Sequence, residues 1–577
     1  LDDSASARPI IDRLTGLPAL DAATAGEAAG ALAKIGGRPV AEFFASVLQG
    51  KVALTATNPV PARAAMLLES WRLGRDAPAT ALLAFTSDTV VAIRWRAVYA
   101  LARLRHPAAA PALTLALRDD DPFIRSIAAR ALSRSFADSA RIAPATLAGL
   151  VARLTDDPDP AVRVNALRSL GTFKDASFAA LAATRLSDGE PNVRVQAAEA
   201  LGLLGGREAS RALQAALGRG NLFAIRREAL LGLARSDAGA FTRSAATWRA
   251  SRDWRERGAA AEGWARTRAR GLPSWLDDPD PRVIVLGMQG WESEIEAADT
   301  VLVRAGRTLL THRDGGVRSV AADAVARAAD PADLPALTAA LAQGSRDSFP
   351  DAAISALNGI LAIRQRDPTS ASRVDQEFLA SSTRPADYLL RRWAEDNWPE
   401  AADRWGPAYP IATGRSLQDY RDLAATYLTA PDSQARPHVV LETVSRGNID
   451  VELLGPEAPI TVANFLRLVD QRFFDGDRWH RVVPNFVVQD GDPRGDGFGS
   501  PGGTIRDEIN PVRYDKAVLG MALSGPDTGM SQWFINLSPQ PHLDGTYTVF
   551  GRVTGGYGAL QRISQGDVIR TIRVTRR

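Results

Sequence analysis

The chain contains no cysteine. That excludes disulfides, a thiolate nucleophile and any zinc or iron–sulfur centre built on cysteine ligands, and it leaves the compartment open. Histidine is scarce too, five among 577 residues and without paired spacing, so no metal site is read from it. Lysine is confined to Lys34, Lys51, Lys174 and Lys516, and nearly all positive charge is arginine. A net charge of +3 is too small to imply nucleic acid or an anionic membrane as partner. No run approaches the roughly 18 apolar residues of a membrane span, so none is expected. An initiator methionine is missing as well: the chain opens LDDSASARP, which suits a chain matured by leader removal or otherwise shortened. The reading therefore leans towards an exported, periplasmic or secreted protein, with the cytoplasm as the alternative.

What is present is length and periodicity. A chain of 577 residues exceeds what one core supports, so several folded units are expected. Through most of it one pattern recurs: an acidic, Pro-containing turn, an apolar-Arg pair, then small and apolar residues at helical spacing. It appears as DDDPFIRSIAARAL, DDPDPAVRVNALRSL, DGEPNVRVQAAEAL, NLFAIRREALLGL and HRDGGVRSVAADAV. The motif arginines are Arg63, Arg94, Arg125, Arg163, Arg194, Arg226 and Arg318, and DDPDPRVIVLGMQGW continues the series with Ile284 in the arginine position. A period of about 31 residues between most of them means stacked helical units.

Each period has room for an earlier helix. Leu147, Leu150, Val151 and Leu154 make one apolar stripe, and Val162, Ala166, Leu167 and Leu170 make the next. Asp and Pro between them supply the cap and first turn of the second helix. Neither stripe is buried alone, so the helices must stack. The pattern resembles HEAT-like α-solenoid repeats, over residues 1–365 as a domain. The acidic clusters lack the ligand spacing of an EF-hand loop and are read as turns and caps. The repeated arginine is expected to pair with the acidic turn of a neighbouring repeat, rather than to form a phosphate-binding ladder. A solenoid of this kind offers a groove to a protein partner.

From 366 to 437 the period fades. Trp393, Trp398 and Trp405 lie on helical patterning, and TAPDSQARP then breaks structure. A helical cap and linker is expected here, with the tryptophans closing the solenoid's last face.

After Pro437 the apolar period becomes two. Val440, Glu442 and Val444 share one face, and Ile449, Val451 and Leu453 alternate with Asp450 and Glu452 across a turn at RGN, a β-hairpin. APITVANFLRLVDQRFF has helical spacing in Val462, Phe465, Leu466 and Val469. An antiparallel barrel or sandwich with a few helices fits residues 438–577.

Four blocks in this domain, APITVANFLRLVDQRFFDGDRWHRVVPNFVVQDGDP, GTIRDEINP, LGMALSGPDTGMSQWFI and LDGTYTVFGRV, resemble the signature blocks of cyclophilins, in that family's order. The resemblance implies an eight-stranded antiparallel β-barrel and peptidyl-prolyl cis–trans isomerisation on proline-containing client proteins, with no cofactor. It also implies Arg481 as catalytic arginine and Gln489 as its support. Phe486, Val487, Ala522, Leu523, Gln532, Phe534, His542, Leu543 and Tyr547 would form the substrate groove and proline pocket. Val487 stands where the family usually has methionine, His542 where its best-known members carry tryptophan, and Tyr547 where histidine is common. LSGPDTGMSQ also departs from the usual run, chiefly at Leu523 and Met530. A module that binds proline segments without turnover, on a scaffolding solenoid, is the alternative function.

The chemistry suits those residues on its own terms. Rotation about an X-Pro bond breaks amide resonance against a barrier of about 18–20 kcal/mol, and makes or breaks no bond to carbon. It needs a donor for the prolyl nitrogen and a dry slot for the ring, not a nucleophile. His480 is accordingly read as a buried hydrogen-bonding residue, and the RGD at 494 to 496 as part of a glycine-rich loop.

Overall fold

The computed structural model describes residues 4–267, 273–293, 299–409 and 414–575. The first residues of the opening LDDSASARP and residues 410–413 of the expected linker lie outside the described residues. The chain forms two compact units, Leu1–Ala209 and Ser210–Arg577.

The first unit is built of helical pairs. Helices Val91–Leu104, Pro122–Ala131, Pro160–Gly171 and Pro191–Leu204 are the second members of successive pairs. The acidic turn starts them: Asp121 accepts from the backbone N–H of Phe123 and Ile124, Asp159 from Ala161 and Val162, and proline takes the first helical position in each case. These are the groups a helix start leaves unpaired, and proline has no N–H to lose there. The expected stripes are inward, with Leu147, Val151, Leu154, Val162, Ala166, Leu167 and Leu170 buried and Leu150 half-buried at the margin.

The motif arginines do pair with the following acidic turn. Arg94 donates through Nε and Nη2 to Asp119 at 2.7 and 3.0 Å, Arg125 likewise to Asp157 at 2.8 and 2.9 Å, and Arg163 to Asp188 at 2.9 and 2.8 Å. Each also turns Nη1 back onto its own turn, to the carbonyls of Asp88, Asp119 and Asp157. One guanidinium thus staples two turns, which a planar five-donor fork can do and an ammonium cannot. The pattern lapses at Arg63, which is exposed, and at Arg194, which has no carboxylate partner among the described residues.

The second unit begins with the same construction. Arg226 pairs with Glu256 at 2.8 Å and Arg318 with Asp347. Arg257, in DWRERGAAAEGW, joins the series by reaching Asp278 at 2.8 and 3.1 Å, from a turn that, like those of Arg226 and Arg318, has no proline. Ile284 is buried and leaves its repeat without a staple. Arg391 repeats the motif inside the tryptophan-rich stretch, donating to the carbonyls of Pro385 and Ala386 and, where another repeat would offer a carboxylate, to that of Ala408. Trp393, Trp398 and Trp405 are buried in this helical core. Trp393 Nε1 is satisfied by Asn358 at 2.9 Å.

The last part is all antiparallel: β1 His438–Thr443, β2 Asn448–Leu453, β3 Arg481–Val483, β4 Val487–Asp490, β5 Val518–Met521, β6 Trp533–Asn536, β7 Val549–Gly555 and β8 Ile569–Thr575, in the order β3-β4-β6-β5-β7-β2-β1-β8. The two ends are drawn together where Trp479 N–H donates to Asp567 O and Ile569 N–H to Asp477 O, closing the barrel that an open sheet edge would otherwise expose. Val440 and Glu442 share the outer face, while Val439, Leu441, Ile449 and Val451 enter the core with Trp479, Trp533 and Phe550. Helix Pro459–Asp470 covers one end through Val462, Phe465, Leu468 and Val469, with Leu466 packed at its margin. Helix Leu417–Tyr427 adds Tyr427 to the same core.

Candidate active site

Strand register assembles the site. In β3 and β4, Arg481 lies opposite Gln489, and in β4 and β6 Gln489 lies opposite Phe534. Residues directly opposite on antiparallel strands have side chains on one face within reach of each other, so positions on three strands form one row. The turn between β3 and β4 is short because Asn485 takes a left-handed conformation, φ 57°, which asparagine tolerates better than most residues.

The polar part of the row is a chain of hydrogen bonds. Arg481 Nη1 donates to Gln489 Oε1 at 3.1 Å. Gln489 Nε2 donates to Gln532 Oε1 at 3.0 Å. Gln532 Nε2 donates to the carbonyls of Gly497 at 2.8 Å and Gly499 at 3.4 Å. Each amide therefore has its oxygen towards Arg481, and the guanidinium is held from one side only. Among the described residues no carboxylate pairs with Arg481. Although the side chain is exposed, desolvation by its surroundings lowers its pKa from the usual value, Tyr547 offsetting some of that, and an arginine so placed stays charged.

Beside it is an apolar cluster. Val487, Phe534 and Leu543 are buried together with Leu454, Tyr514, Val518 and Val549, and Phe486, Ala522 and Tyr547 pack against them. Phe486 stacks on His542 at 5.9 Å, and Tyr547 meets Phe534 edge-on at 5.8 Å. Leu523 stands apart: its side chain approaches Gly529 and packs with the barrel core. The structure thus brings together ten of the eleven residues singled out from sequence, through one hydrogen-bond chain and one apolar cluster with aromatic members.

Two supports carried no signal in the sequence. Tyr514 is buried and stacks on Phe534 at 5.6 Å. Gly520 faces the same ring, and a Cβ there would sit 2.4 Å from Phe534 Cζ and 2.2 Å from the Tyr514 oxygen. Behind the row, His480 Nδ1 is 3.7 Å from Asp490 Oδ1, too far for a hydrogen bond, while its carbonyl accepts from Gln565 at 2.8 Å. His480 belongs to the wall and not to the apolar cluster.

Two family models match this chain. The family model described as cyclophilin type peptidyl-prolyl cis-trans isomerase/CLD matches residues 438–577, and one described as HEAT repeats matches 51–133 and 147–234. Peptidyl-prolyl cis-trans isomerase B of Bacillus subtilis is 49% identical over 128 residues, which is 22% of this chain and 90% of that protein. A peptidyl-prolyl cis-trans isomerase of Helicobacter pylori is 39% identical over 155 residues, 26% of this chain and 95% of that one. The human peptidyl-prolyl cis-trans isomerase-like 1 is 42% identical over 138 residues, 23% and 82% of the respective chains.

Proposed function

Because this chain belongs to the cyclophilin-type peptidyl-prolyl cis-trans isomerase family, we propose that Arg481 is the donor that lowers the rotational barrier of an X-Pro bond. Its recess of Phe486, Val487, Ala522, Phe534, His542, Leu543 and Tyr547 holds the proline ring. The enzyme is a peptidyl-prolyl cis-trans isomerase, and the role of each residue follows from what the rotation requires.

As the amide twists, the prolyl nitrogen loses conjugation and its lone pair becomes an acceptor. A cationic N–H aimed there stabilises the twisted state more than the planar one, which is the condition for acceleration. Gln489 occupies Nη1 and leaves the remaining guanidinium donors for the substrate. A preorganised donor of this type supplies about 3–4 kcal/mol, or roughly two to three decades in rate. Gln489 and Gln532 orient the donor without neutralising it, since neither carries charge. Ring burial anchors one side of the bond while the preceding residue turns, with the backbone about Ala522 and Leu523 as the groove that receives it. Nothing is oxidised, reduced or hydrolysed in such a rotation, so the residues alone suffice and no cofactor enters.

The same proposal gives residues 438–577 the chemistry, residues 1–365 the recruitment of a protein partner or client, and residues 366–437 the role of cap and linker. HEAT-type repeats commonly mediate protein interactions, which supports that division. Among the described residues no helix is long and apolar enough to cross a membrane.

The observation that carries the assignment is the Arg481–Gln489–Gln532 hydrogen-bond chain beside the apolar cluster. NMR exchange spectroscopy on an X-Pro peptide tests it. Arg481→Ala is expected to lower kcat/KM by about two to three decades, and equal rates for this variant and the parent chain would refute the role.

A further inference from the structure

The loop that supports Gln532 is gripped from its other side by the helical repeats. Arg494 Nη1 and Nη2 donate to the two oxygens of Asp314 at 2.7 and 3.2 Å. Arg494 Nη2 also reaches Asp496 at 2.7 Å. Asp314 is the N-cap of helix Gly315–Ala326, the helix that carries the repeat arginine Arg318. The acidic turn of a repeat therefore takes an arginine from the barrel in addition to its own duties. Arg282, lying over the Trp254 ring at 4.0 Å, donates to the Arg494 carbonyl at 3.1 Å. Phe498 packs on Gly316, where a Cβ would come within 3.0 Å of the ring.

Within the loop the grip is passed on rigidly. Asp492 accepts from the backbone N–H of Arg494 at 2.8 Å and of Gly497 at 2.5 Å, and Asp496 from that of Phe498 at 3.1 Å. Gly497 and Gly499 are the residues whose carbonyls hold the Gln532 amide. The connections thus run from Asp314 through Arg494 to Gly497, then through Gln532 and Gln489 to Arg481. The RGD tripeptide is committed to this arrangement at both charged ends.

We infer that Arg494 and Asp314 are positioning residues for the isomerase reaction, so that the helical repeats complete the active site by fixing the loop that orients Arg481. The inference rests on Arg481 being the donor to the prolyl nitrogen. If the loop is released, Gln532 loses its anchor, Gln489 is free to rotate its amide, and the guanidinium wanders. A misplacement on the order of 1 Å at a catalytic group can cost about 100-fold, and a loosened support two links away is expected to cost about tenfold. The loss falls on kcat, because the recess that binds the ring does not involve Arg494.

The test uses the full chain and an X-Pro peptide followed by NMR exchange. Arg494→Met and Asp314→Asn are each expected to lower kcat about tenfold with KM within about twofold, and the double variant to be no slower than either single one. With glutamine side-chain amides labelled with nitrogen-15, the Gln489 and Gln532 resonances should shift in these variants. Arg494→Lys keeps the charge but not the fork, and should recover part of the rate if thermal melts show Arg494→Met to be unfolded. Tyr388→Phe is the comparison, since Tyr388 donates to Asp527 O at 3.1 Å elsewhere between repeats and barrel and does not reach Gln532; it should keep the parental kcat. Unchanged kcat in Arg494→Met and Asp314→Asn, with Arg481→Ala impaired, would overturn the positioning role alone. An equal loss in Tyr388→Phe would overturn it in favour of general undocking. A fully active Arg481→Ala would remove the donor assignment and this inference together.

Discussion

At the scale of the residue, the roles proposed above separate the charge that acts from the groups that aim it. Arg481 is cationic and faces neutral amides, so its field is not cancelled before substrate arrives. Gln489→Glu would place a carboxylate on Nη1 and compete with the prolyl nitrogen. The expected outcome is a rate that falls as the new carboxyl ionises above about pH 4.3 and partly returns in acid, read as a pH profile of kcat. Nearby, Asp477 behaves differently. Burial first, then the charges of Asp490 and Asp492, raise its pKa from 3.8 to about 7, with His480 opposing. Its folded pKa lies above its unfolded one, so its contribution to stability is complete below about 3.8 and is lost as pH rises through about 7. Asp477→Asn should therefore raise Tm relative to the parent at pH 8 and have little effect near pH 4, measured by thermal melts at both.

At the scale of the element, small residues decide how strands and helices approach. Gly520 lets β5 lie against Phe534 and Tyr514. Gly520→Ala is expected to push the Phe534 ring into the recess, destabilising by roughly 1–3 kcal/mol and raising KM more than it lowers kcat, as peptide titration would report. In the helical repeats the corresponding device is the arginine staple. Removing the partner of a well-buried carboxylate is costly because the remaining charge is left desolvated. Arg125 and Asp157 side chains are only 15% and 9% exposed, so Arg125→Met should destabilise the first unit by about 3 kcal/mol, seen as a lower denaturant midpoint. Arg63→Met, at an exposed position, should stay within about 0.5 kcal/mol.

At the scale of the whole molecule, helical repeats and barrel meet within the second unit. Tyr427 of a linker helix sits in the barrel core, and Phe498 of the barrel packs against the helical core. The loop from Arg494 to Phe498 is therefore held on both sides although it has no secondary structure. Amide hydrogen exchange should be slow through this loop in the parent chain and faster by about tenfold or more in Asp314→Asn, since protection follows the free energy of local opening. Mass spectrometry after peptic digestion would report it.

The chain's own sequence was enough to determine its classes of structure and its chemistry. Absence of cysteine removed whole mechanisms, a recurring period near 31 residues identified stacked helices, and a change to period two marked the barrel. The residues proposed for the pocket could be picked out because RWHRVVPNFVVQ and SQWF lie on short strands whose alternation is visible locally, and because of their resemblance to a known family. Tertiary structure alone decided the rest. Tyr514 and Gly520 matter through a ring on another strand, and Arg257 and Arg391 meet partners that only the packing of separate turns brings near. Arg494 and Asp314 are 180 residues apart. Local pattern records which face of a strand or helix is apolar. It does not record which distant group meets a charge, because that is set when separate elements pack and each buried ion must find a partner.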